Sequence, residues 1–216
     1  NGGHSGRIAF HVNHDGFWQV SVMDANGTQD RQLTVGESHH LGAVWSPDGK
    51  TLAYSAESEH GWDLFLMKSD GTGIVRRLTE GDYAYDNPAW SPNGNLIAFQ
   101  ALTPRSDELF TIGVDGENDL QLTDNDVLDW MPDWSPDGKQ IAYTSTRDGN
   151  QELYVALSTG REPQRLTSNP AIDAHPAWSP DGRYVVFVST RGGMTRLFVG
   201  TEDGRWQHPL FSRSGA

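Results

Sequence analysis

The chain of 216 residues contains no cysteine, which excludes disulfide staples, thiolate metal sites and a cysteine nucleophile. It has no apolar run near the ~18 residues that a membrane-spanning helix needs. Positive charge is scarce: 16 Lys and Arg stand against 29 Asp and Glu, a formal net charge of −13. So acidic a surface repels phosphate, which argues against charge-driven nucleic-acid binding and against docking on anionic lipid. Helix-length apolar stripes of period 3.6 are scarce as well. The opening NGGHSG has none of the charged-then-apolar pattern of a signal peptide, so an exported form would have lost its leader or would belong to a longer chain. Catalytic signatures are also missing. There is no G-x-S-x-G elbow, no H-E-x-x-H and no P-loop. The acidic run Asp124-Asn125-Asp126…Asp129 lacks the Gly and the terminal Glu of a calcium loop.

What the chain does have is repetition. WSPDG begins at Trp45, Trp134 and Trp178, and WSPNG at Trp90, in steps of 45, 44 and 44 residues. A Q/R-Leu-Thr marker keeps the same steps, with Leu33, Leu78, Leu122 and Leu166. A small–aromatic pair follows in register: Ala9-Phe10, Ala53-Tyr54, Ala98-Phe99, Ala142-Tyr143 and Val186-Phe187. The extra residue of the first step falls in the hairpin at 56–60, where an insertion costs least. Each unit reads as four short strands separated by Pro-Asp-Gly and Asp-Gly turns, in which Pro fixes φ and Gly accepts positive φ. A period of 40–50 residues with four strands per unit predicts propeller blades. The expected fold is all-β: one domain over 1–216, a five-bladed β-propeller of four-stranded antiparallel blades at about 7–34, 43–79, 88–123, 132–167 and 176–211. The first unit begins at its second strand, after only a Gly-rich stub. Its blade is therefore three-stranded, or completed by flanking residues of a longer chain; an open or oligomerising arrangement is the alternative.

Recurrence in register assigns Trp45, Trp90, Trp134 and Trp178 to packing between blades. The segments before each first strand are His39-His40-Leu41, Tyr85-Asp86-Asn87, Asp129-Trp130 and Asp173-Ala174-His175. In a propeller these lie at the mouth of the central channel. Asp86, Asp129, Asp173, His40, His175, Tyr85 and Trp130 are therefore the candidate binding residues, with Tyr83 beside them. Converging carboxylates repel unless a cation or a basic group sits between them. A divalent cation held by some of Asp86, Asp129, Asp173, His39, His40 and His175 is one reading, and a basic peptide is another. The third is that these Asp side chains cap local turns and face water. Arg147 and Arg191 recur in matching hairpins and are expected to be structural partners of nearby carboxylates.

The stretch IAYTSTRDGNQELYVALSTGREPQRLT followed by PAWSPDG resembles the TolB-type, WD-like propeller repeat, and the resemblance spans about 7–211. It implies a bacterial, periplasmic or extracellular, non-catalytic module without a cofactor. Such a module binds a protein or peptide partner at its channel mouth and does not itself enter the membrane. The N-terminal α/β domain of TolB has no counterpart here, and the blades are fewer. Alternatives are a metal-assisted carbohydrate-active lyase or hydrolase built on the channel His and Asp residues, or an accessory or sensor propeller of a larger peptidase or kinase receptor.

Overall fold

Each Trp-Ser-Pro-Asp-Gly motif closes a hairpin, and these hairpins lay out the molecule. In the second blade Ser46 Oγ donates to Asp48 Oδ1 at 2.7 Å, the Lys50 N–H donates to the same oxygen at 3.0 Å, and the Thr51 N–H donates back to Ser46 Oγ at 3.0 Å. Gly49 takes φ +69°, which only glycine adopts at no steric cost. Asn93 replaces the aspartate in the third blade and makes the same two contacts, at 2.8 and 3.0 Å.

The computed structural model describes residues 6–59 and 61–211. The N-terminal stub, apart from Gly6, and His60 of the inserted hairpin lie outside the described residues. Blade 1 contains β1 (Arg7–His14), β2 (Phe17–Asp24) and β3 (Arg31–Gln32). Blade 2 contains β4 (His40–Trp45), β5 (Thr51–Ser58), β6 (Gly61–Lys68) and β7 (Arg76–Arg77), and blade 3 contains β8 (Ala84–Trp90), β9 (Leu96–Leu102), β10 (Asp107–Gly113) and β11 (Leu120–Gln121). Blade 4 is β12 (Asp129–Trp134), β13 (Gln140–Ser145), β14 (Glu152–Leu157) and β15 (Gln164–Arg165). Blade 5 is β16 (Asp173–Trp178), β17 (Tyr184–Ser189), β18 (Arg196–Thr201) and β19 (Gln207–Pro209). Within each blade consecutive strands pair antiparallel, and the first blade is three-stranded. The fold is a five-bladed all-β propeller.

Four apolar clusters fill the four interfaces between successive blades. Val20, Leu52 and Tyr54 join blades 1 and 2, while Leu64, Ile97 and Phe99 join blades 2 and 3. Leu109, Trp134 and Tyr143 join blades 3 and 4, and Leu153, Val185 and Phe187 join blades 4 and 5. Among the described residues no such cluster joins blade 5 to blade 1, and Ile8, Tyr184 and Leu197 stay exposed on the faces that flank that gap. Two of the repeat Trp side chains are also clasps: Trp90 Nε1 donates to the Val44 carbonyl and Trp134 Nε1 to the Ala89 carbonyl, each at 3.2 Å across a blade boundary, whereas Trp45 and Trp178 pack with the indole nitrogen buried and unbonded.

The outermost strands are only two or three residues long, too short to hold by ladder bonds alone. The Leu-Thr marker supplies the rest. The Oγ1 of Thr34, Thr79, Thr123 and Thr167 accepts the N–H of Val20, Leu64, Leu109 and Leu153 respectively, in the strand next to the outermost, at 2.8–3.0 Å. In three blades the same hydroxyl donates to a buried side chain one residue earlier: Gln19, Asp63 or Glu152.

Two outcomes are expected. Trp134→Ala costs about 3–5 kcal/mol in urea unfolding, the usual loss for truncating a buried Trp, whereas Trp134→Phe, which deletes the indole donor, costs about 1 kcal/mol. The second outcome concerns acid. Ser135 Oγ and the Lys139 N–H hold Asp137 ionised, lowering its pKa from 3.8 to about 2. A depressed carboxylate stabilises the fold above its unfolded pKa, and that contribution disappears as pH falls from about 4 to about 2. Asp137→Asn, copying Asn93, should leave the melting temperature at pH 7 nearly unchanged and shrink its fall over that window.

Candidate binding site at the central channel

All four complete blades break the pairing of their innermost strand at one place. The register slips between Leu41 and Val44, Asp86 and Ala89, Trp130 and Asp133, and Ala174 and Ala177. Three residues before each Trp the backbone turns left-handed, at Gly42 (φ +63°), Asn87 (+51°), Met131 (+55°) and His175 (+58°). Non-glycine residues pay about 1 kcal/mol or more for that conformation, and bulges of this kind re-aim a side chain. Pro88, Pro132 and Pro176 follow directly, and a proline has no N–H to leave unpaired where the ladder is interrupted. The bulges line a central cavity of about 860 Å³ to which all five blades contribute. Its polar groups include Asn87, Asp133 and His175, and its apolar wall includes Phe10, Trp90 and Met131. Burial raises the pKa of Asp133, although its carboxylate accepts the Trp178 N–H of the next blade at 2.6 Å.

The predicted collar of Asp86, Asp129 and Asp173 does not form, and the reason is strand register. Asp129 and Asp173 stand five residues before their Trp, whereas Asp86 stands four before, so side-chain alternation sends it elsewhere. Asp86 Oδ1 accepts Ser55 Oγ of the preceding blade and the Asn87 N–H, each at 2.6 Å. Asp129 is fully buried, ion-paired to Arg147 at 3.0 Å and bonded by Asn125 at 2.7 Å. Asp173 is its counterpart, with Arg191 and Asn169 both at 2.6 Å. The guanidiniums lie over aromatic pairs. Arg147 is 5.5 Å from Tyr143 and 4.5 Å from Tyr154, and Arg191 is 5.6 Å from Phe187 and 5.0 Å from Phe198. Arg147 and Arg191 are thus partners of carboxylates, as their recurrence suggested.

The slot held by Asp129 and Asp173 is filled by His40 and Tyr85 in the other two complete blades. The His40 ring sits 5.9 Å from Tyr54, and burial lowers its pKa. Tyr85 sits 5.9 Å from Phe99, edge to face, with Tyr83 6.1 Å away. His39 accepts the Trp18 N–H at 3.1 Å and lies between Phe17 and Trp62. Trp130 is half-buried at the second position of β12, opposite Thr144. Of the predicted set only His175 lines the cavity, and among the described residues no three His, Asp or Glu side chains come close enough to hold a metal ion. The channel residues missed in the sequence, Met131 and Asp133, and Asn87, named there only within its segment, carry a readable signal: a Pro two residues before Trp marks the bulge in three blades.

Removing one member of a buried ion pair strands the other. Asp129→Ala and Asp173→Ala should each lose about 3–5 kcal/mol of unfolding free energy. Asp86→Ala, which breaks no ion pair, should lose about 1–2 kcal/mol in the same urea titration.

A model of the TolB beta propeller domain matches residues 3–130 and 126–212. No curated protein matches the chain. Among solved structures, the chain is 24% identical to a putative TolB from Agrobacterium tumefaciens, with a TM-score of 0.81 over 94% of this chain and 76% of that one. It is 22% identical to TolB from Acinetobacter baumannii, TM-score 0.82, covering 95% of this chain and 52% of that one, about half its length. An oligogalacturonate lyase in complex with manganese is also similar in fold, at 14% identity and TM-score 0.72 over 94% of this chain and 61% of that chain. Matched by the family model over nearly its whole length, the chain belongs to the TolB beta propeller domain family.

Proposed function

We propose that the protein is a non-catalytic binding module, periplasmic or extracellular, that receives a segment of a protein or peptide partner in the mouth of its central channel. The observation that carries this reading is the cavity of about 860 Å³, walled by Phe10, Trp90 and Met131 with Asn87, Asp133 and His175 as its polar points. Mostly apolar concavities with a few placed polar groups are what ligands bind. The left-handed bulges set the direction of Asn87, Met131 and His175 on the cavity wall. In this reading Asp129 and Asp173 act indirectly: through Asn125 and Arg147, and through Asn169 and Arg191, they fix the loops that flank the innermost strands. The net charge of −13 favours a partner segment of neutral or positive charge.

The test is capture of a partner from an extracytoplasmic extract on immobilised protein, with the partner identified and its affinity then measured on purified material. Met131→Ala/His175→Ala should weaken that complex at least tenfold while leaving the melting temperature within a few degrees. An affinity unchanged by the double variant overturns the channel as the site. Breakdown of oligogalacturonides with added manganese, lost in the same variant, would replace the binding module with the enzyme reading.

A further inference from the structure

The repeats also show what belongs in one slot that two blades leave open. At the interface of blades 3 and 4, Asn125, Asp129 and Arg147 form a triad whose guanidinium covers the rings of Tyr143 and Tyr154. At the interface of blades 4 and 5, Asn169, Asp173 and Arg191 do the same over Phe187 and Phe198. The three equivalent positions at the interface of blades 2 and 3 are Gly81, Tyr85 and Thr103. The substitutions are concerted: a Cβ on Gly81 would lie 2.5 Å from the Tyr85 hydroxyl, so an asparagine there is incompatible with Tyr85 as placed. The aromatic pair itself is retained, with Phe99 and Phe110 stacked 5.9 Å apart at 16°. What is missing is the cation above it. Tyr85 packs edge-on against Phe99, and beside the pair lies a cavity of about 500 Å³ whose wall includes Tyr83, Tyr85, Phe99 and Phe110.

The charges around this cavity point the same way. Of its two arginines, Arg77 is paired with Asp63 at 2.8 Å, and Arg76 donates to the carbonyls of Val114 and Asp115 and keeps its charge, against three carboxylates on the same wall, Asp115, Glu80 and Asp119. Glu80 and Asp119 also line it and have no partner among the described residues. An aromatic platform beside unpaired carboxylates attracts a desolvated cation, and a guanidinium, flat and weakly hydrated, stacks better than an ammonium.

We propose that the cavity between blades 2 and 3 is a receptor for an arginine side chain of a partner polypeptide, which takes the place that Arg147 and Arg191 occupy in the later blades. This site is separate from the channel and does not depend on the channel's having a ligand.

The probe is the blocked tripeptide acetyl-Gly-Arg-Gly-amide, titrated into isotope-labelled protein and followed by backbone amide shifts at Gly81, Tyr83, Phe110 and Asp119. Saturable shifts are expected. The citrulline peptide, equal in shape but uncharged, should bind at least tenfold more weakly. Gly81→Asn/Tyr85→Asp/Thr103→Arg rebuilds the triad so that its guanidinium covers Phe99 and Phe110, two rings of the cavity wall, and should abolish the shifts. Phe110→Leu, which removes the platform, should weaken binding at least fivefold and decides the matter if the triple variant does not fold. Met131→Ala/His175→Ala in the channel should change nothing. Absence of saturation by the arginine peptide, equal binding of the citrulline peptide, or undiminished binding to the plugged or Phe110→Leu protein each overturns the proposal.

Discussion

A four-stranded sheet of short strands has two apolar faces and cannot hide either by itself. Everything else in this molecule follows from the way each blade hides one face under the next. Leu52, Ile97, Ile141 and Val185 occupy one repeat position and are all essentially inaccessible, because each faces a neighbouring blade. Their counterpart in the first blade, Ile8, is exposed, because no blade covers that face among the described residues. The same side-chain position is therefore core or surface according to its place in the row, as expected when stability is a sum of nearest-neighbour interfaces. The cross-boundary bonds of Trp90 and Trp134 add direction to that contact: each indole N–H finds a carbonyl one blade back, and the rotation between blades is fixed at the channel wall.

Polar groups are built into this scheme at fixed depth. The Thr of each Leu-Thr marker exchanges bonds with an N–H of the strand next to the outermost and, in three blades, with a buried Gln, Asp or Glu. Arg77 and Arg165 then pair with two of those acids, Asp63 and Glu152, at 2.8 and 2.9 Å. Arg147 and Arg191 do likewise for Asp129 and Asp173. A chain of strong negative charge thus commits four of its few basic side chains to partly buried pairs. Each pair withdraws one charge of each sign, so the whole net charge of −13 stays with the rest of the chain, and the electrostatic preference for a cationic partner is undiminished.

The fold was legible because its signals repeat. Three markers in one register located the blades, and the offset of Ile8 within its unit foretold a three-stranded first sheet. The site was legible only in part, and the failure has a definite cause. Proximity in sequence to the channel mouth made Asp86, Asp129 and Asp173 look equivalent, yet alternation along a strand makes a one-residue offset a change of face. Counting back from each Trp separates them: position five holds His40, Tyr85, Asp129 and Asp173, and position three holds Gly42, Asn87, Met131 and His175. The buried Asp63, Glu108 and Glu152 were invisible for another reason. A lone acid beside a Leu in an alternating strand reads as solvent-facing until its partner is recognised: the Leu-Thr hydroxyl for Asp63 and Glu152, Ser106 for Glu108.

Repetition lets one blade serve as the control for another. Where the repeats agree, in Trp, in the Ser–Asp turn and in Leu-Thr, the residue answers a need common to every blade, which is packing or turn closure. Where they differ at a position whose surroundings stay the same, the difference is local and calls for a local explanation. Position three of the innermost strand is of this kind. Its backbone is left-handed in all four complete blades, but the side chain changes from none at Gly42 to amide, thioether and imidazole at Asn87, Met131 and His175. Glycine alone would meet the conformational demand at every blade, so three of four positions accept strain in order to present a side chain to the channel. Asp15, Gln29, Asn118 and Glu162 are left-handed too, but they lie in loops between strands; Asn87, Met131 and His175 take this conformation inside a strand, and these are the ones that line the central cavity.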